Sequence, residues 1–202
     1  MKVKFTKNII LFIAVLPAMV VACNALMPLP TEETPQQTNS GWQVSTALPN
    51  DASGIEGVQT YGDRPEYHNH VDVVTAPDDN VPPVFGAHFR VWQNCGIYDQ
   101  PIELGNALHS LEHGAVWLTY SPDLSESQIT DLQSLARGQD YVLMSPYPSQ
   151  SSLVALTAWG VQLVIDSFPD DRIARFIAYY EQGPQNPEPG APCSGALGSP
   201  LP

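Results

Sequence analysis

The stretch that decides the fold runs from Ala115 to Tyr180, and it opens with Ala115-Val-Trp-Leu-Thr-Tyr120. This hexamer is rich in β-branched and aromatic residues and reads as a buried strand. Ser125-Glu-Ser-Gln-Ile-Thr-Asp-Leu-Gln-Ser-Leu-Ala136 follows. Ser125 and Gln128 form a capping-box pattern, Ile129, Leu132 and Leu135 mark an apolar helix face, and Gly138 ends it. Tyr141-Val-Leu-Met144 is a short strand. Ser152–Ala158 and Val161–Ile165 are two more, separated by Trp159-Gly160. A final helix is expected from Pro169, which suits a first-turn position. Its face is Ile173, Phe176, Ile177 and Tyr180, at i, i+3, i+4, i+7 spacing, and Gly183-Pro184 stops it. The order is strand, helix, three strands, helix. It predicts a single α+β domain with two or three helices packed on a mostly antiparallel sheet.

Upstream the texture changes. From Gly54 to Pro101 the chain is loop-rich, with Pro82-Pro83, Gly86 and Gly96 and few periodic runs. A short helix is expected between Glu103 and His113, ending at Gly114, which can take a left-handed C-terminal conformation. Loops held by a rigid scaffold are where sites are built. Residues 53–183 are assigned to the domain. Six prolines and four glycines from Gly183 onward make residues 184–202 an irregular tail.

The N-terminus reads as an export signal. Lys2, Lys4 and Lys7 precede the apolar run Ile9–Leu16, which is shorter than the roughly 20 residues a membrane-spanning helix needs. Val20-Val21-Ala22-Cys23 resembles the bacterial lipobox, and that resemblance implies cleavage after residue 22 and a lipid on Cys23. An ordinary signal peptide with an incidental cysteine is the alternative. Residues 23–52, rich in Pro, Thr, Gln, Asn and Ser, read as a flexible tether. The expected location is extracytoplasmic, with the membrane as the one partner, through the lipid on Cys23.

Cleavage would remove every lysine, leaving five arginines against 21 acids and a formal charge of −16. Such a surface repels nucleic acid and anionic lipid headgroups. No protein partner is indicated. Cys95 and Cys193 are the cysteines that remain. Outside the cytoplasm a disulfide is the default, tying the tail to the histidine region. A loop of that length stabilises by about 4–5 kcal/mol in the chain-entropy account. Thiolate ligation of a metal is the alternative.

All five histidines fall between His68 and His113. His109 and His113 share a face if their segment is helical. His88 follows a Pro-Pro turn that can aim it inward, and in His68-Asn-His70 strand alternation would put both rings on one side. Imidazole is the commonest protein metal ligand. The cluster points to a transition-metal ion held by His88, His109 and His113, with His70 as fourth ligand and copper ahead of zinc. Met144, the sole methionine beyond the tether, is the one thioether candidate. Glu112 is expected to orient a metal-bound histidine.

Other readings of the same residues stay open. His109-x-x-Glu112-His113 matches the string of inverted zinc proteases, with Glu112 as general base of a small zinc hydrolase. The cluster could also be a metal-free hydrogen-bond network in an interaction module. Whether the chain is an enzyme stays open, leaning to not. Trp92, Tyr98 and Trp117 flank the histidines as packing. No Gly-rich phosphate loop, Ser nucleophile elbow or Cys-x-x-Cys motif occurs.

Pro82-Pro83…His88, Trp92-Gln-Asn-Cys95-Gly-Ile-Tyr98-Asp-Gln-Pro101, His109-Ser-Leu-Glu-His-Gly114 and Thr157-Ala-Trp-Gly160 together resemble the bacterial domain-of-unknown-function 3105 (DUF3105) family, over residues 54–182. The resemblance implies an exported or membrane-attached domain and brings no settled activity. Its recurring histidines fall on His70, His88, His109 and His113, while His68 lies outside the pattern. The residue before the middle histidine is usually Gly or Pro in that family and is Ala87 here.

Overall fold

A computed structural model describes residues 52–76 and 80–202. The signal, the lipobox with Cys23, and nearly all of the tether lie outside the described residues.

In chain order the elements are β1 (Gln59–Thr60), a 3-10 turn (Pro65–His68), β2 (Gly96–Ile97), α1 (Leu104–Glu112), β3 (Val116–Tyr120), α2 (Glu126–Ala136), β4 (Val142–Pro146), β5 (Val154–Ala158), β6 (Val161–Ile165) and α3 (Arg172–Tyr180). They form one six-stranded sheet in the order β1-β6-β5-β3-β4-β2. The α+β class holds, but the sheet is mixed rather than mostly antiparallel. β3 and β4 run parallel, as do β2 and β4, while β3–β5, β5–β6 and β1–β6 are antiparallel. The reason is α2. A strand followed by a helical crossover returns beside itself in the same direction, whereas the Trp159-Gly160 turn can only reverse the chain. Gly160 takes φ +69° there.

The local signals act as expected at most ends. Ser125 caps α2 in a reciprocal box with Gln128, and Gly138 adopts φ +77° just past its end. α1 spans Leu104–Glu112, with Gly114 at φ +93° where the chain turns into β3. Pro169 differs: it sits in a cis Phe168–Pro169 bond, and α3 begins three residues later at Arg172. His68 and His70 are also not on one strand, because the 3-10 turn ends at His68.

Every residue of β3 is buried. Val116, Leu118 and Tyr120 pack with Leu132 of α2 and with Ile173, Phe176 and Ile177 of α3. Trp117 faces the other way, with Leu143, Trp159 and the α1 residues Ala107, Leu108 and Leu111. A strand covered on both faces needs apolar residues throughout, which is why this hexamer does not alternate. α2 and α3 therefore share one face of the sheet, and α1 with the histidine loops takes the other. Among the described residues no helix is long and apolar enough to cross a membrane.

The tail is irregular but tied down. Cys193 forms a disulfide with Cys95, with α-carbons 5.3 Å apart. Asn94 donates to the Gly198 carbonyl at 2.8 Å, and Leu201 N–H donates to Ile97 O at 2.8 Å.

Candidate metal centre

The site is built on the face of α1 that turns away from the sheet. Leu108 and Leu111 bury against the sheet, while Asn106, His109, Ser110 and Glu112 are buried too. Buried polar groups need partners, and the loop 88–93 supplies them. Phe89 N–H donates to Gly105 O, and Gln93 N–H to Asn106 O, both at 3.1 Å. Ser110 Oγ donates to Gln93 O at 2.7 Å. Gly105 permits this docking: a β-carbon there would come within 2.6 Å of the Phe89 ring.

His70 and His88 come together through the backbone. The two residues form a parallel bridge, with His88 N–H donating to Asn69 O at 3.0 Å and Val71 N–H to His88 O at 2.8 Å. Their rings lie 5.1 Å apart, and each lies about as close to His109, at 5.0 and 4.9 Å.

Three buried histidines share one device. His88 Nδ1 bonds Gly86 O at 2.8 Å, His109 Nδ1 bonds Phe89 O at 2.6 Å, and His113 Nδ1 bonds Pro192 O at 2.7 Å. A carbonyl only accepts, so each Nδ1 carries a proton, and Nε2 is the nitrogen left to face a ligand. This is how metal-bound imidazoles are held in register.

Donor atoms of His70, His88, His109 and Glu112 all lie within 4.8 Å of one another. This His–Glu group could hold a metal ion. Its membership differs from the expected one. Glu112, expected to act behind a histidine, brings its own oxygen into the group. His113 lies outside it: it is the residue after α1, and its bond to Pro192 turns the ring toward the tail. Its ring still sits 4.5 Å from that of His109. Met144 is fully buried in β4 among the α2–α3 core, on the opposite face of the sheet from α1. The disulfide occupies both remaining cysteines, so neither is a thiolate ligand.

His68, outside the family pattern, is the residue that sequence reasoning missed. Its Nδ1 lies 2.5 Å from Glu112 Oε1 and its Nε2 2.9 Å from Asp63 Oδ2. The one available signal was its spacing of two from His70. Burial alone would lower the His68 pKa, but the Glu112 and Asp63 carboxylates outweigh it and hold the ring above the ordinary value. For Glu112, burial would raise the carboxyl, and the His88 and His68 imidazoles more than reverse this, leaving it below its usual range. Burial dominates at His109 and, with the neighbouring His113, His88 and His70, pushes it down to about 4, against the opposing Phe89 bond. That ring is neutral near pH 7.

His88 is wholly buried, and its Nε2 lies 2.8 Å from Glu112 Oε2. The contact is short, yet the atom is not aligned for a hydrogen bond with this oxygen or any other group. A lone pair that close to a carboxylate oxygen is repulsive unless a proton or a cation lies between them.

A single α+β domain with a His–Glu group at a helix–loop junction, buried except at His70, is thus the class that fold and site define. Residues 74–195 match the family described as "Protein of unknown function (DUF3105)", and the chain belongs to that family. No curated protein and no solved structure matches the chain.

Proposed function

We propose that the protein is an extracytoplasmic lipoprotein, anchored through Cys23, that binds a divalent transition-metal ion through His70, His88, His109 and Glu112. The observation that carries this reading is the buried Nε2 of His88 facing the Glu112 carboxylate, a pair that a cation between them would reconcile. Three imidazoles and one carboxylate suit copper(II) or zinc(II). Among the described residues no thioether is in reach, since Met144 lies on the other face of the sheet, so a soft-ligand argument for copper(I) has no support there. Copper(II) leads because it stands above zinc(II) in the affinity order of nitrogen and oxygen sites. Two bonds of about 2.0–2.1 Å span at most about 4.2 Å. The 4.8 Å limit of the group therefore closes slightly on binding, and the exposed His70 has the room to move.

A zinc hydrolase is less well supported. Its general base must be free to take a proton from metal-bound water, and the Glu112 carboxylate is already engaged by His68. The Cys95–Cys193 disulfide supports an oxidising compartment, and the formal charge of −16 on the processed chain argues against a nucleic-acid partner.

Competition tests the metal assignment. Purified protein given equimolar copper(II) and zinc(II) is expected to retain copper. Preferential retention of zinc would overturn the assignment of the ion, and retention of neither would overturn the site. Anchoring has its own test: Cys23→Ser should move the protein from the membrane to the soluble fraction, and unchanged retention would count against the lipid.

A further inference from the structure

The residue left out of the His–Glu group has a site of its own. His113 is buried, its Nδ1 proton is committed to the Pro192 carbonyl, and its Nε2 lies 3.5 Å from Glu188 Oε2. Glu188 belongs to the tail, is half exposed, and is positioned by the Asn186 side chain, whose Oδ1 accepts its backbone N–H at 3.0 Å. A further bond, from Asn186 Nδ2 to His113 O at 3.5 Å, ties this turn to the end of α1. The Cys95–Cys193 disulfide fixes the tail five residues beyond Glu188.

We propose that His113 and Glu188 form a second, weaker cation position beside the His–Glu group. A neutral imidazole nitrogen and a carboxylate oxygen bound to one tetrahedral ion, with bonds of about 2.0–2.2 Å, stand roughly 3.4 Å apart. The observed 3.5 Å fits that spacing and is long for a hydrogen bond. The ring is presented just as those of His88 and His109 are, with Nδ1 on a carbonyl and Nε2 outward. With only two protein donors the remaining positions belong to water, so binding is weaker than in the four-donor group. The half-exposed carboxylate makes this the position an ion reaches from solvent, and the His113 ring, 4.5 Å from that of His109, puts it next to the inner group.

Trp92 reports on both positions, since its ring lies 4.9 Å from His113 and 5.7 Å from His109. The experiment is a titration of the oxidised full chain with copper(II), followed by tryptophan quenching and by calorimetry. Two steps are expected in the native protein. Glu188→Gln, a conservative change at the surface, should weaken the second step at least about tenfold, the scale on which supporting contacts matter at metal sites. His113→Gln should do the same, with the first step retained in both. Replacing Cys95 and Cys193 together with Ser should weaken the second step, because Glu188 is then no longer held. The absence of any Glu188-dependent step in the native protein overturns the proposal, and so does a second step that survives both substitutions. The inner site is judged separately: loss of the first step alone in His109→Gln supports it, and a native second step that depends on Glu188 stands even if that inner step is missing.

Discussion

At the scale of single residues, Glu112 decides the chemistry. It stands on the last turn of α1, three residues after His109, so one helical turn puts both toward the same loop. Its carboxylate faces the His88 ring inside and is held by His68 from outside, and His68 is in turn held by Asp63. The chain Asp63–His68–Glu112 fixes the carboxylate where a metal would need it. Replacing His68 with Ala is therefore expected to lower metal affinity by roughly 10–100-fold, the usual effect of removing a group that orients a ligand. Isothermal titration of the His68→Ala protein with copper(II) measures this, and an unaltered Kd would show that His68 is incidental. The pH response belongs to the same scale. His109 is held near 4 in the fold, against an ordinary value of 6.5 in an unfolded chain. Between those limits the unfolded chain binds the extra proton, so the His109 contribution is complete above about 6.5 and is lost as pH falls toward 4. The stability of a His109→Gln protein should accordingly fall less between pH 6.5 and 4 than that of the native protein. Identical losses by urea denaturation would contradict the neutral, buried ring.

At the scale of elements, α1 and its loop are a unit. The helix is buried on all sides, its apolar side on Trp117 and Leu143, its polar side on the loop that carries His88. Gly105→Ala would push a methyl into the Phe89 ring, and the loop would have to shift. We expect a loss of about 1–3 kcal/mol, as for an overpacked core, together with weaker metal binding because Phe89 O orients His109. Unfolding and titration of that variant check both, and wild-type values for both would mean that the loop docks elsewhere. Part of this arrangement is legible in the sequence. α2 was legible to its capping box, and α1 to the glycine that ends it, because those signals are local. The parallel pairing of β3 with β4 was legible too, since a helix of that length between two strands is a crossover; the antiparallel expectation gave it too little weight. The pairing of His70 with His88 was not legible. It is made by main-chain bonds between two loops, and main-chain bonds leave no trace in side-chain type. Glu112 and His113 were hard to tell apart for a related reason. Both lie on the right side of a helix, and only the Pro192 carbonyl, 79 residues downstream of His113, draws one of them away.

At the scale of the molecule, the sheet is a partition. One face holds the larger apolar core under α2 and α3, and the other holds α1, the loops and the His–Glu group. The tail lies over the second face, is fixed by the Cys95–Cys193 disulfide and then grips Asn94 through Gly198 and Ile97 through Leu201. Removing that disulfide with Cys95→Ser and Cys193→Ser should cost about 2–5 kcal/mol of stability. Thermal unfolding of the double variant measures it, and a midpoint equal to that of the native protein would show that the tail's own hydrogen bonds suffice. The account as a whole stands on the His–Glu group binding one ion. The most direct measurement is the metal content of the full-length protein by mass spectrometry after dialysis against copper(II), beside the His88→Gln/His109→Gln double variant. One tightly held ion is expected in the native protein and none in the variant. A metal-free native protein, or an ion that survives the double substitution, would contradict it.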